Sequence, residues 1–448
     1  MRNGHILTLD PDRTVYRPGA VAISGTRIRA VGPQADILGA FEADRVIDAQ
    51  DAVVHPGFID SHFHISQHTS RGIDALLARN PGTTVNFASW KAALNDKDEY
   101  ASTALAALDL LRHGYTAFVE GGTALNPEAV GRAAQAVGIR GWLTDPYVWD
   151  RSDVMESVPR LLSPALAAKA PFDLDRCFRE MGSQLHWNRD ADSLLHGYVF
   201  LYGLGTASDE LQRAAKALAD RNNVVVGQHH GYVREMTVLE EARPGVPSLV
   251  HLANLGVLGR NCAFVHVNVL RDAEVAPLAA SGAAVVWCPA NYLFFAARDG
   301  NGPIPELHRR GVTIALAVDA TKNCTVGDTT TLALHAAAQC GLVLSGKTLL
   351  EMLTINAAKT MNADEIGSLE RGKRADLVIR TNAAPDAQPG LDPIFQTAVL
   401  GRSTSVQTVV VNGRIVFEGG QSTQVEEDHI YRQVRSSMDD LTARLGLR

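Results

Sequence analysis

Several things are scarce in this chain of 448 residues. It lacks a basic excess: 42 Lys and Arg stand against 49 Asp and Glu, for a net charge of -7. That balance argues against nucleic acid or an anionic membrane surface as partner, since both call for a basic face. No run approaches the ~18 apolar residues of a membrane-spanning helix. The start, MRNGHILTLDPD, has no apolar core of a secretory leader. The five cysteines, Cys177, Cys262, Cys288, Cys324 and Cys340, form no Cys-x-x-Cys pair, which excludes a disulfide framework and a zinc ribbon. A reduced, cytoplasmic enzyme acting on a small molecule is the class left standing. Aromatic residues are few, at 6%, whereas histidines number 15, so their positions carry the argument.

Residues 1–55 alternate apolar and polar positions in HILTLD, AVAISGTRIRAVG and RVIDAQDAVVHPG, with Gly and Pro between them, and read as a small β unit. From 57 the rhythm changes. Strand-like runs at 57–62, 116–120, 139–143, 198–202, 224–229, 262–266, 284–288 and 312–318 alternate with Ala- and Leu-rich helical stretches. These strands are too apolar to be exposed on one face, and the alternation predicts an α/β fold built on a (β/α)8 barrel. β character returns from 366 in IGSLERGKRADLVIR and SVQTVVVNGRIVFEGG. The termini share an Asn-Gly-x-Ile signature at 3–6 and 412–415. The expected domains are therefore a composite β-sandwich from 1–55 and 366–420, a barrel over 56–365, and a C-terminal helix over 421–448. The Pro-rich stretch 383–395 is expected to wrap the surface.

Active sites of such barrels sit at the C-terminal ends of the strands. The first strand runs through GFIDSHFH at 57–64. Alternate residues of a strand share a face, so His62 and His64 look the same way and are placed to grip one ion. The fifth strand ends in Gln228-His229-His230, the sixth in His266 and the eighth in Asp319. A lone histidine is ordinarily a hydrogen-bonded residue of the core, and an aspartate after a strand can cap the next helix. Their joint arrival at four strand ends points instead to a catalytic metal, which needs three or four N/O ligands and an open position.

GFIDSHFH resembles the opening motif of the amidohydrolase superfamily, and the resemblance covers almost the whole chain. Arg71-Gly72 resembles the deaminase/chlorohydrolase branch, LLRHGYTAFVEGG the second-strand segment, WCPAN at 287–291 the seventh and GVTIALAVDA the eighth. The resemblance implies that His62, His64, a fifth-strand histidine and Asp319 bind a divalent metal, zinc or iron(II), with His266 beside it. Of the adjacent pair, His229 is favoured over His230, because it sets Tyr232 rather than Val233 three positions on. Dinuclear relatives use a carboxylated lysine on the fourth strand; YVFLYGLG has none, so one ion per chain is expected. Zinc is the expected metal.

The chain departs from its branch at one point. Deaminases of that kind carry His-x-x-Glu on the fifth strand, where this sequence has His229-His230-Gly231-Tyr232. The resemblance implies a metal-activated water with Asp319 as general base and His266 beside it, and the phenol of Tyr232, standing at the departure, is expected to donate a hydrogen bond to a carbonyl oxygen or leaving group, or else to pack against the rim. Hydrolysis of an amide, urea, carbamate or heteroaryl C–N bond is the favoured reading; deamination or dechlorination of a nitrogen heterocycle is the alternative. An inactive scaffold would have lost ligands, and every ligand position is filled. Asn291 and Gln67 are candidates for the pocket, His68 reads as a surface histidine, and Phe87 and Trp90 as packing residues. Trp149, His186 and Trp187 are lid candidates in the insertion 145–190. A homo-oligomer is expected, with Ile430, Tyr431 and Val434 of the last helix offering apolar surface.

Overall fold

The computed structural model describes residues 1–80, 82–158, 160–297, 302–320 and 324–447. Its helices begin and end where local chemistry says they should. Asn95 opens the helix Asp96–Arg112 by accepting from the Lys97 and Asp98 amides, while the Asp98 carboxylate accepts from the Asn95 N–H. Ser208 opens Asp209–Asn222 by accepting from the Leu211 amide, and Asn223 closes it in the left-handed conformation.

Between these helices the parallel strands Phe58–Phe63, Tyr115–Glu120, Arg140–Leu143 and Leu195–Gly197 form one sheet. Val199–Gly203, Val226–His230, Cys262–His266, Ala284–Trp287 and Ile314–Leu316 form a second. Backbone continuity through Tyr198 joins the two, and the Tyr198 amide donates to the Leu143 carbonyl. At the other seam the Asp319 amide donates to the His62 carbonyl at 2.9 Å, and the His64 amide to the Asp319 carbonyl at 2.8 Å. The barrel is thus closed, with the fourth strand position split in two. Its interior is filled by Ile59, Val119, Phe200, Val265, Val286 and Ala315, and a larger apolar cluster lies between strands and helices.

Both chain ends meet in one eight-stranded sheet. Val53–Pro56 pairs in parallel with Gly4–Leu7 on one side and antiparallel with Leu377–Arg380 on the other. The sheet folds back on itself, since the Ala375 amide donates to the Thr26 carbonyl and the Ile28 amide to the Lys373 carbonyl. That closure makes the sandwich. Arg140 ties it to the barrel: its guanidinium grips Asp376 at 2.8 and 3.1 Å, with both side chains buried.

The final helix, Glu427–Arg444, packs on Asp96–Arg112, where Asp98 accepts from Ser437 at 2.6 Å and pairs with Arg444. Ile430, Tyr431 and Val434 face the barrel core rather than an open surface, contrary to the expectation from sequence. Among the described residues no helix is long and apolar enough to cross a membrane.

Candidate active site

His62 and His64 alternate along the end of the first strand and share a face, with Asp60 two positions earlier buried beneath them. His62 and His64 project toward Asp319, whose Oδ1 lies 3.4 Å from His62 Nε2 and 3.0 Å from His64 Nε2. His229 Nε2 stands 3.2 Å from His62 Nε2. One donor atom from each of His62, His64, His229 and Asp319 lies within 4.8 Å of every other. The histidine rings leave no room for a side chain on Gly121, where a Cβ would come within 2.5 Å of His64 Nδ1.

His230 points the other way. It is buried against Phe264 and lies 3.6 Å from Glu274, on the helix side of the strand. The rim therefore gathers the imidazoles of His62, His64, His229 and His266, one fewer than the sequence suggested. His266 stacks on His229 at 5.4 Å and meets the Tyr232 ring at 4.8 Å. His266 and Asp319 hold φ of 75° and 65°, a left-handed conformation that non-glycine residues adopt at a cost of about 1–3 kcal/mol and that concentrates at functional sites.

The donor set suits a divalent cation. His229 Nδ1 is 2.7 Å from the Tyr202 carbonyl, which fixes the tautomer and turns the Nε2 lone pair into the cluster. His64 Nδ1 is likewise engaged, 2.7 Å from Thr123 Oγ1. Burial lowers His64 to about 4 and His266 to about 3, and pushes His229 well below its usual range, so these rings are neutral near pH 7. Burial would raise the Asp319 carboxyl, but the surrounding imidazoles, His64 foremost, hold it well below the ordinary carboxylate value. Asn291 Nδ2 donates to Asp319 Oδ2. Neutral imidazoles and one ionised carboxylate are the ligands that zinc and its neighbours take.

A cavity of about 60 Å³ opens on the cluster, walled by Gln67, Phe87, Lys91, Tyr202 and Tyr232. Roomier cavities of about 330 and 430 Å³ lie beside Arg380 and Trp142, away from this ligand cluster. Asp319 is the one carboxylate among the described residues that line the cavity. Burial, then the Asp319 charge, raises the Tyr232 phenol well above its ordinary value, so it stays protonated and can donate. On the fourth strand the rings of Phe200 and Tyr202 pack on His229 at 5.0 and 5.2 Å.

Other sequence candidates fall elsewhere. His68 is buried rather than at the surface, 3.4 Å from Asp109. Trp90 packs against Leu94 and Leu441, and Trp149 lies in the core and donates to the Ala170 carbonyl. His186 lies beside Trp187, 3.6 Å from Glu128, and neither ring is among the described residues of the cavity wall. Sequence reasoning passed over Lys91, Thr123 and Asp60. Asp60 had a signal, because it continues the two-residue period of His62 and His64; it accepts from the His62 and Val318 amides at 3.1 and 3.2 Å. Lys91 had one too, as a single charge inside Phe87–Ala93.

Known proteins resemble this chain over nearly its whole length. A 5-methylthioadenosine/S-adenosylhomocysteine deaminase of Syntrophobacter fumaroxidans is 29% identical over 440 residues, 97% of this chain and 96% of that protein. A 5'-deoxyadenosine deaminase of Methanosarcina mazei is 24% identical, covering 100% and 99% of the two chains. Among solved structures, a zinc-bound adenosine deaminase from Xanthomonas campestris superposes with a TM-score of 0.84 at 22% identity, over 99% of this chain and 98% of that one. A zinc complex of atrazine chlorohydrolase from Arthrobacter aurescens gives 0.81 at 20% identity, over 98% and 99%. The sequence pattern of the amidohydrolase family matches residues 53–416, and the chain belongs to that family.

Proposed function

We propose that this protein hydrolyses a non-peptide C–N bond of a small molecule, using one divalent metal ion, zinc, held by His62, His64, His229 and Asp319. The observation that carries the reading is the convergence of those donor atoms at the mouth of a closed barrel, beside a cavity. A bound ion of this kind supplies a Lewis acid and an activated water near neutral pH. Asp319, fixed by Asn291 and His64, accepts the proton of the attacking water. His266, kept neutral by burial, receives a hydrogen bond or a proton beside it. The protonated Tyr232 hydroxyl donates to the leaving atom or to the oxygen on which charge develops. The fourth strand, Val199–Gly203, carries no lysine to bridge a second ion, which supports one ion per chain.

Full-length similarity to deaminases of 5'-modified adenosines favours a second reading, release of ammonia from a nitrogen heterocycle. The lack of a further carboxylate among the described lining residues weighs against it. Metal-loaded protein incubated with aminoheterocycles, aryl ureas, carbamates and cyclic amides separates the two by product mass. Two organic fragments support the first reading, ammonia with an amino-to-oxygen exchange supports the second, and no turnover of any class overturns both.

A further inference from the structure

Lys91 is an unusual wall for a metal-centred cavity. It sits on the helix Phe87–Ala93, is 4% exposed, and lines the same cavity as His64, His229 and Asp319. Its ammonium lies 5.2 Å from the Phe87 ring centre and 5.4 Å from that of Tyr147, a cation–π shelf that holds the charge beneath the cavity mouth. Keeping a lysine this far from water costs free energy. A second cation, the exposed Arg160, stands 4.6 Å over Phe295, which packs on Tyr232. With Asp319 among the ligand residues, Lys91 is the cation among the described residues that line the cavity.

We propose that Lys91 selects substrates that carry a carboxylate, seating that group against its ammonium while the C–N carbon faces the metal cluster. Arg160 draws the anion toward the mouth by its field. This inference rests on the C–N hydrolase reading for what happens to the substrate, but its binding step stands apart from turnover. Phe87, Tyr202 and Tyr232 add aromatic surface to the same wall.

The test is calorimetric binding of nicotinate and of nicotinamide, a flat carboxylate and its neutral twin, to zinc-loaded protein. A charge-assisted contact of this kind makes nicotinate bind at least about 10-fold more tightly. Lys91→Met removes the preference with metal content unchanged, and Lys91→Arg keeps part of it. Equal affinity of the two ligands, a preference that survives Lys91→Met, or no binding of either at millimolar concentration overturns the proposal. A carboxylate preference without turnover of any carboxylated amide or aminoheterocycle leaves Lys91 as the selector and overturns the hydrolase reading alone.

Discussion

His229 and His230 are neighbours in sequence, yet one turns to the barrel axis and the other to the helical shell, 3.6 Å from Glu274. Their roles therefore separate under mutation. His229→Ala is expected to lose bound metal, whereas His230→Ala keeps it and lowers stability by leaving Glu274 buried without its imidazole. Elemental analysis of the two purified variants checks this; a His229→Ala protein with a full ion would remove that residue from the ligand set. Tyr232 bears on the chemistry rather than the metal. Losing its hydroxyl in Tyr232→Phe is expected to cut kcat on the order of 10²-fold, by analogy with loss of a donor to developing charge, with little change in metal content. Unchanged turnover would reduce Tyr232 to a packing residue. The paired histidines and Asp319 are legible in the sequence because strand ends in a barrel share one rim. Lys91 left only a weak signal, its single charge in Phe87–Ala93, because an isolated lysine in a short helix ordinarily faces solvent and only tertiary packing turns it inward.

At the scale of elements, the turn after the strand Tyr115–Glu120 shows how the backbone positions the site. Glu120 accepts from the amides of Gly122, Thr123 and Ala124 at 2.8 to 3.2 Å, which fixes Thr123 against His64. Burial, together with nearby Glu99, raises the Glu120 carboxyl to about 7 from its ordinary 4.5, despite those donors. A raised acid favours folding fully below about 4.5, and its contribution is lost as pH rises through about 7. The Glu120 contribution to thermal stability should therefore fall between about pH 4.5 and 7, and Glu120→Gln should remove that part of the pH dependence, at some cost in overall stability from the lost acceptor. Equal slopes in melting experiments would contradict this. Strand positions are readable from continuous apolar runs, but the short strand Leu195–Gly197 ahead of Tyr198 is not: only YVFLY at 198–202 reads as a strand, and the earlier piece exists through its pairing with Arg140–Leu143. The last helix is readable as amphipathic, but its partner, Asp96–Arg112, lies too far away in the chain for a periodicity argument to find.

At the scale of the whole molecule, the barrel and the terminal sheet are locked by Arg140 and Asp376, both nearly inaccessible to water. Asp376→Ala would leave a buried guanidinium without its carboxylate, and a loss of about 3–5 kcal/mol is expected. Urea unfolding of the metal-loaded protein measures it; a midpoint unchanged from wild type would mean that the guanidinium finds other acceptors, such as Asn412. The seam of the barrel has a wider consequence. The backbone bonds between His62, His64 and Asp319 that close the ring belong to the same residues whose side chains converge on the cluster. Asp60 and Val318, bonded just beneath, are 258 residues apart in the chain. As the polypeptide emerges during synthesis, the first histidines must wait for nearly the entire barrel to be made before their carboxylate arrives. Capture of an ion by the whole set then reports that the ring has shut, and a half-made chain has nothing with which to hold one.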